Sequence, residues 1–340
     1  MKPQRVLTLV HKGLEPPEEK TDKTTTVAAE WRMEYDVVQT LRTLGHELRV
    51  IGVHDDLTPI RSSMDDFKPS ITFNLMEAFD DVVVFDQNVV SYLELLKVPY
   101  TGCNPRGLTL SRDKALAKKL MAYHRIPVPD FVVVPLGRKP KLPKRLQFPL
   151  IVKSLTYESS TGISQASVVD NEDQLNKRVQ FIHDTIMTPA IVEQFIDGRE
   201  LYVGVMGNDR LQVFPVWEMS FTKMPENSRR IATERVKWSV KYQKKHGIDT
   251  AEAELPPDMT AKVQHLAKRV YRALDLSGYA RVDLRMTSAG ELFVIEANPN
   301  PQLAQGEDFA ESAKRAGVSY AKLIERIVGL GLQWQPSRMA

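Results

Sequence analysis

A chain of 340 residues exceeds what one hydrophobic core ordinarily fills and suits two or three domains of roughly 100 to 150 residues each. A hydrophobic content of 42% and a charged content of 26% are those of a folded globular protein and exclude a long disordered tract. The net charge of +3 is too small to point to nucleic acid, the single cysteine Cys103 excludes an intramolecular disulfide, and no apolar run reaches membrane-spanning length.

The first hundred residues alternate strand and helix signals, which is an α/β pattern. Val6 to Val10 reads as a strand, Ala28 to Leu44 as an amphipathic helix closed by Gly45, and Leu48 to Val53 as a second strand. A further strand fits Ile71 to Leu75 and a helix fits Phe85 to Lys97, after which Val98 to Gly102 breaks the pattern. The apolar run Val6 to Val10 ends at His11 and Lys12, too short for the core of a signal peptide, so a reducing, cytoplasmic setting is expected. No Gly-x-Gly-x-x-Gly follows the first strand, so nothing supports a dinucleotide site.

Ser111 reads as the N-cap of a helix running to about His124, which puts Lys114 in the first turn, where a cation opposes the helix dipole unless an anion lies nearby. Pro135 to Pro149, with Arg138, Lys139, Lys141, Lys144 and Arg145, reads as a solvated connector. Phe148 to Lys153 reads as a buried strand delivering a lysine at its end. Ser154 to Gly162 follows at once, a hydroxyl-rich loop able to close over phosphates although it lacks Walker A spacing. Ala190 to Glu200 runs a strand through a turn into a strand over Leu201 to Met206. In that segment backbone groups of Gln194 and Ile196 are placed to meet a base edge, Phe195 to pack beside it, and Glu200 to take hydroxyls. Lys223 to Lys245 carries eight basic residues interleaved with Trp238 and Tyr242 and reads as a basic lid; it lacks any nucleic-acid binding module.

The richest stretch is Tyr279 to Pro301. Two apolar runs, Val282 to Met286 and Leu292 to Ile295, flank Thr287 to Gly290 and predict a β-hairpin. With Ser288 and Ala289 as a two-residue loop, Arg281, Asp283, Glu296 and Asn298 share one face, while Val282, Leu284, Met286, Phe293 and Ile295 share the other. Two carboxylates and an amide oxygen without His or Cys make a hard-oxygen site suited to magnesium, and Arg281 beside them suits a developing negative charge. Any one of these residues alone reads as a solvated strand end. Four converging on one face do not.

Taken in order, Asp113 and Lys114, Phe148 to Lys153, Glu193 to Glu200, Arg281 to Asp283 and Glu296 to Asn298 resemble the ATP-grasp superfamily, within it most nearly the D-alanine:D-alanine ligases. The resemblance covers roughly residues 70 to 330. It implies three domains: an N-terminal α/β domain (1–105), a central grasp subdomain (106–200), and a C-terminal one (201–335) with a mobile lid at about 220–250. It further implies an ATP-dependent carboxylate-amine ligase working through an acyl phosphate, with two magnesium ions, or manganese in their place. The roles carried over put Lys114 and Lys153 on phosphates, Glu193, Gln194, Phe195 and Ile196 at the adenine hinge and Glu200 on the ribose. Asp283, Glu296 and Asn298 fall on metal, Arg281 on the oxyanion and Ser159 near the first substrate. Lys237 matches the lid lysine, with Lys241 the alternative. Small amino-acid or carboxylate and amine substrates are implied, with no nucleic acid and no membrane, and a homodimer.

The chain departs from that family where the amino acids bind. Val10 to Glu15 lacks the family's Gly-Gly turn, Tyr157 to Gly162 replaces its Glu-Gly-Ser-Ser-x-Gly loop, and Gln302 stands for a glycine. A ligase for another amino acid or a peptide end, and a non-catalytic ATP-binding regulator, stay open as alternatives.

Overall fold

The computed structural model describes residues 1–19, 21, 26, 29–157, 161–225 and 228–335. Its first sheet is parallel, in the order β2-β1-β3, built from β1 (Arg5–His11), β2 (Glu47–Val53) and β3 (Ile71–Asn74). Helices α1 (Arg32–Thr43), α2 (Thr58–Asp66) and α3 (Asp86–Leu95) accompany it, as the alternating pattern predicts, although α2 is short and polar enough to be missed in the sequence. The core of this sheet is completed from the far end of the chain. Phe309 of α10 (Asp308–Arg315) and Leu323, Ile324 and Ile327 of α11 (Tyr320–Gln333) pack with Val6, Val37 and Phe73.

Two helices, α4 (Pro105–Arg112) and α5 (Lys114–Tyr123), lead away from it. Ser111 lies inside α4, and the cap of α5 is Asp113, whose Oδ1 accepts from the N–H groups of Ala115 and Leu116 at 2.9 Å each. A carboxylate satisfies two orphan donors and offsets Lys114 at the next position, which a serine hydroxyl would not.

The middle of the chain forms an antiparallel sheet of order β4-β7-β5-β6 from β4 (Phe131–Val134), β5 (Leu150–Ser154), β6 (Val168–Val169) and β7 (Ala190–Gln194), with α6 (Glu172–Phe181) packed on it. A third, antiparallel sheet of order β10-β9-β8-β11-β12 follows. Its strands are β8 (Arg199–Met206), β9 (Gln212–Phe221), β10 (Ile248–Glu252), β11 (Tyr279–Met286) and β12 (Leu292–Pro299), backed by α9 (Pro257–Ala273). Val203, Val282, Leu284 and Val294 meet Val263, Leu266 and Val270 of α9 in the largest core. Two short helices, α7 (Glu234–Trp238) and α8 (Val240–His246), lie between β9 and β10. No helix among the described residues is long and apolar enough to cross a membrane. Cys103 is fully buried and its thiol is pushed up to about 12 by that burial, so it packs as a small apolar side chain.

One titratable group in α1 stands apart. Glu34 is buried and, among the described residues, its Oε2 has no hydrogen-bond donor. Burial, aided by the charge of Glu77 and opposed by its own backbone N–H, pushes the carboxyl from 4.5 up to about 7. Below about 4.5 the group is neutral folded or unfolded; as pH rises through about 7 the folded state must ionise it in a dry site, and stability falls. Glu34→Gln is therefore expected to leave urea stability unchanged at pH 4 and to raise it at pH 9 by up to about 3 kcal/mol. Equal pH profiles for the two proteins would remove this account.

Candidate active site

The hairpin reaches its geometry by a route other than the predicted one. Its loop has three residues, with Thr287 N–H donating to Glu291 O and Gly290, at φ +80°, donating to Thr287 O. This moves Leu292 and Val294 onto the core face, opposite Met286 and Leu284, and places Phe293 opposite Arg285. A β-bulge at Ile295 then absorbs a second residue, so that Glu296 sits across from Asp283 and Asn298 across from Arg281. The two shifts cancel. The four polar residues share a face as predicted, whereas Phe293 and Ile295 leave the apolar face assigned to them. Lys118 Nζ donates to the carbonyl of Ile295 at 2.6 Å, satisfying the extra residue of the bulge.

Arg281 grips Asp283 with two hydrogen bonds of 2.7 and 2.9 Å, and Asn298 Nδ2 donates to the same carboxylate at 3.0 Å. The Arg281 guanidinium lies 4.8 Å from the centre of the Tyr202 ring. Burial by itself raises a carboxyl, and it raises Asp283 despite Arg281. At Glu296 the same burial is outweighed by Lys114, then Lys237 and Lys153, which hold the carboxyl down at about 2. Two facing carboxylates with the Asn298 amide beside Asp283, that carboxylate still penalised by burial, form a donor set that a hard divalent cation fits.

The lysines come from separate elements. Lys114, at the start of α5, donates to the carbonyl of Tyr157 at 2.6 Å and lies 3.9 Å from Glu296 Oε2. One turn further on, Lys118 is 1% exposed and stands 3.4 Å from Glu193 Oε1, while Lys153 at the end of β5 bonds Glu193 Oε2 at 3.0 Å. The Glu193 side chain bridges two buried lysines, which overcome the effect of burial and lower its pKa. Lys118 went unnoticed in the sequence, although its i, i+4 spacing from Lys114 on a helix was the available signal.

Residues 195–198 carry the chain from the four-stranded to the five-stranded sheet. Here Gln194 N–H donates to Asp130 O at 2.8 Å and Phe195 N–H to Pro149 O at 3.2 Å, so the Gln194 donor expected at a base edge is already engaged. No acceptor among the described residues takes Ile196 N–H. Gly198 is obligatory, because a Cβ there would lie 2.1 Å from the carbonyl of Met286. Glu200 accepts from Tyr202 Oη at 2.8 Å and from Arg285 at 2.5 Å, and Arg285 also reaches the carbonyls of Gly198 and Arg230. Arg285 is the second residue the sequence reading missed; it follows Arg281 and Asp283 at strand spacing on the same face.

Lys153, Glu193, Glu200, Asp283, Arg285 and Glu296 line one cleft between the two sheets. Ile151, Ile163, Phe195 and Ile231 make an apolar end, and Lys153, Lys237, Asp283 and Glu296 a charged one. Lys237 lines this cleft, whereas Lys241 is exposed and does not. The basic segment is docked over it: Arg229 exchanges hydrogen bonds with Gln165 and pairs with Asp170 at 2.8 Å, and Glu234 N–H donates to Ile163 O. Ser159 lies outside the described residues.

The family model described as D-ala D-ala ligase C-terminus matches residues 120–329. The chain is 30% identical over 306 residues to an uncharacterized protein, y4sG, of Sinorhizobium fredii, covering 87% of this chain and 86% of that one. It is also 30% identical over 298 residues to a D-alanine:D-alanine ligase of Desulforudis audaxviator, covering 87% and 84%. Among solved structures, the D-alanine:D-alanine ligase from Bacillus anthracis complexed with ATP superposes with a TM-score of 0.74 at 21% identity, over 97% of this chain and 98% of that one, a likeness of fold. By the family match and by the relatives' similarity over most of its length, the chain belongs to the D-alanine:D-alanine ligase family of ATP-grasp enzymes, which form peptide bonds.

Proposed function

We propose that the cleft holds ATP with magnesium and that the enzyme joins the carboxylate of one small amino acid to the amine of another, with D-alanine the first substrate to test for both. The observation that carries this reading is the convergence of Lys114, Lys153 and Lys237 on an ionised Glu296 that faces Asp283 across the hairpin. When bound, ATP with its metal supplies the phosphoryl group that activates a carboxylate for amide formation.

In this reading Ile151, Phe195 and Ile231 take the base, the free Ile196 N–H meets its edge, and Glu200, held by Arg285, takes ribose hydroxyls. Lys114, Lys153 and Lys237 neutralise phosphate charge. Asp283, Glu296 and Asn298 offer oxygens to the metal, and Arg281, fixed in the plane of the Asp283 carboxylate, stands ready for an oxyanion. By the family resemblance, the changed loop at Tyr157 to Gly162 and Gln302 correspond to segments on the amino-acid side of the reaction, so the assay begins with pools. Amino-acid-dependent ADP release from pooled D- and L-amino acids is the expected result; tight ATP binding with no release from any pool would favour a non-catalytic regulator.

Removing one charge-assisted phosphate contact costs about 1.5 to 3 kcal/mol. Lys153→Ala is accordingly expected to weaken nucleotide binding by roughly ten- to a hundredfold in calorimetry. Equal affinity would count against the phosphate role.

A further inference from the structure

Outside the residues that line the cleft, the carboxyl ends of β1 and β2 bring two imidazoles together. His11 closes β1, His54 follows β2, and their rings meet edge to face at 5.5 Å. Asp81 reaches over both, with Oδ1 3.5 Å from His11 Nε2 and Oδ2 3.2 Å from His54 Nε2. The turn carrying Asp81 is tied to the sheet, because Asp80 N–H donates to the carbonyl of His54 at 2.8 Å.

The other ring nitrogens decide what this cluster is for. His11 Nδ1 lies 3.0 Å from the carbonyl of Lys12, which can only accept, so Nδ1 is the donor there and Nε2 is the nitrogen that the neutral ring offers to a cation. His54 Nδ1 lies 3.4 Å from the Asp55 carboxylate, which fixes the orientation of that ring. A positive charge shared with Asp81 holds this arrangement together: either a proton on the imidazole, which is how Asp81 raises the pKa of His54, or a metal ion that takes both lone pairs in the protons' place. A carbonyl or carboxylate behind each imidazole is the outer-shell arrangement that orients metal-bound histidines. Ligand atoms at about 2.0 to 2.1 Å from a tetrahedral ion lie roughly 3.3 to 3.4 Å from one another. His11 Nε2 and His54 Nε2 stand at 3.5 and 3.2 Å from the two oxygens of Asp81, close to that edge, and one ligand atom from each of the three residues lies within 4.8 Å of the others.

We propose that His11 Nε2, His54 Nε2 and the Asp81 carboxylate form a site for a divalent transition metal of the zinc class. Nitrogen donors separate it in kind from the all-oxygen set of the cleft. Asp81 is 77% exposed, so a fourth position opens to solvent for a water or an outside ligand. Bound metal would clip the connection after β3 onto the ends of β1 and β2.

Untagged full-length protein titrated with Co²⁺ tests this, because tetrahedral Co²⁺ with imidazole ligands absorbs visible light far more strongly than an octahedral all-oxygen ion. The expected result is a tetrahedral band saturating at one equivalent, displaced by Zn²⁺ and kept in Glu296→Gln. It should vanish in His11→Gln and in His54→Gln, each with an unchanged circular dichroism spectrum. Asp55→Asn should keep the band but weaken Co²⁺ binding tenfold or more through the lost outer-shell contact. No tetrahedral band in the wild type, a band that survives loss of either imidazole, or an affinity unmoved by Asp55→Asn would overturn the site.

Discussion

Glu296→Gln is expected to lower kcat by roughly a hundred- to a thousandfold, the usual cost of deleting one preorganised charge at a reacting centre, while the folded state persists. Glu296 is the point on which three lysines from three elements act, and it is ionised down to about 2. Glutamine keeps the shape but removes the charge that would bind a divalent ion. The lysines keep other partners: Lys114 retains the Tyr157 carbonyl and Lys153 retains Glu193, so the far-ultraviolet spectrum should not change. The pH dependence has a definite sign. A carboxyl lowered from 4.5 to about 2 contributes stability that is complete above about 4.5 and lost as pH falls toward about 2. Between pH 6 and 9 Glu296 therefore sets no limb of the rate profile. Steady-state ADP release at saturating magnesium checks the assignment, and kinetics equal to wild type would refute it.

Glu193→Gln is the change expected to cost most stability. The carboxylate is 1% exposed and stands between Lys118 and Lys153, both buried. Removing it leaves two ammonium groups dry without their nearest counter-charge, and breaking a buried pair this way costs about 3 to 5 kcal/mol. Urea unfolding should show that loss, and nucleotide affinity should fall with it because Lys153 is no longer held in place. Lys118→Met provides the contrast. It keeps the Glu193 and Lys153 pair, removes a buried charge, and frees the Ile295 carbonyl from its donor. We expect a smaller stability change but impaired turnover, since the bulge that returns Glu296 to the polar face loses its anchor. If Glu193→Gln unfolds at the wild-type urea midpoint, the bridging role of this carboxylate is wrong.

Much of the site was legible because strand alternation is short-ranged. Arg281 and Asp283 share a face of β11 by spacing alone, and Glu296 and Asn298 share a face of β12 in the same way. Placing the two pairs together required the register between strands. The sequence pattern implied it through the apolar face, yet missed both the three-residue loop and the bulge at Ile295. Helix capping was misread for a related reason: Ser111 and Asp113 are both good caps, and only the end of α4 at Arg112 decides between them.

Composition, hydrophobic period and local motif chemistry were enough to determine an α/β chain of several cores, the strand that delivers Lys153, the turn at Gly198 and the polar face of the hairpin. All of these depend on neighbours a few residues apart. What faces what across the molecule was settled only by tertiary structure. Glu193 between Lys118 and Lys153, Arg285 on Glu200, α11 completing the core of β1 and β3, and His11 with His54 beneath Asp81 all join residues far apart in sequence. Burial and charge then gave those groups properties absent from any of them singly, because a carboxylate's ionisation depends on what surrounds it in space and not on its sequence neighbours.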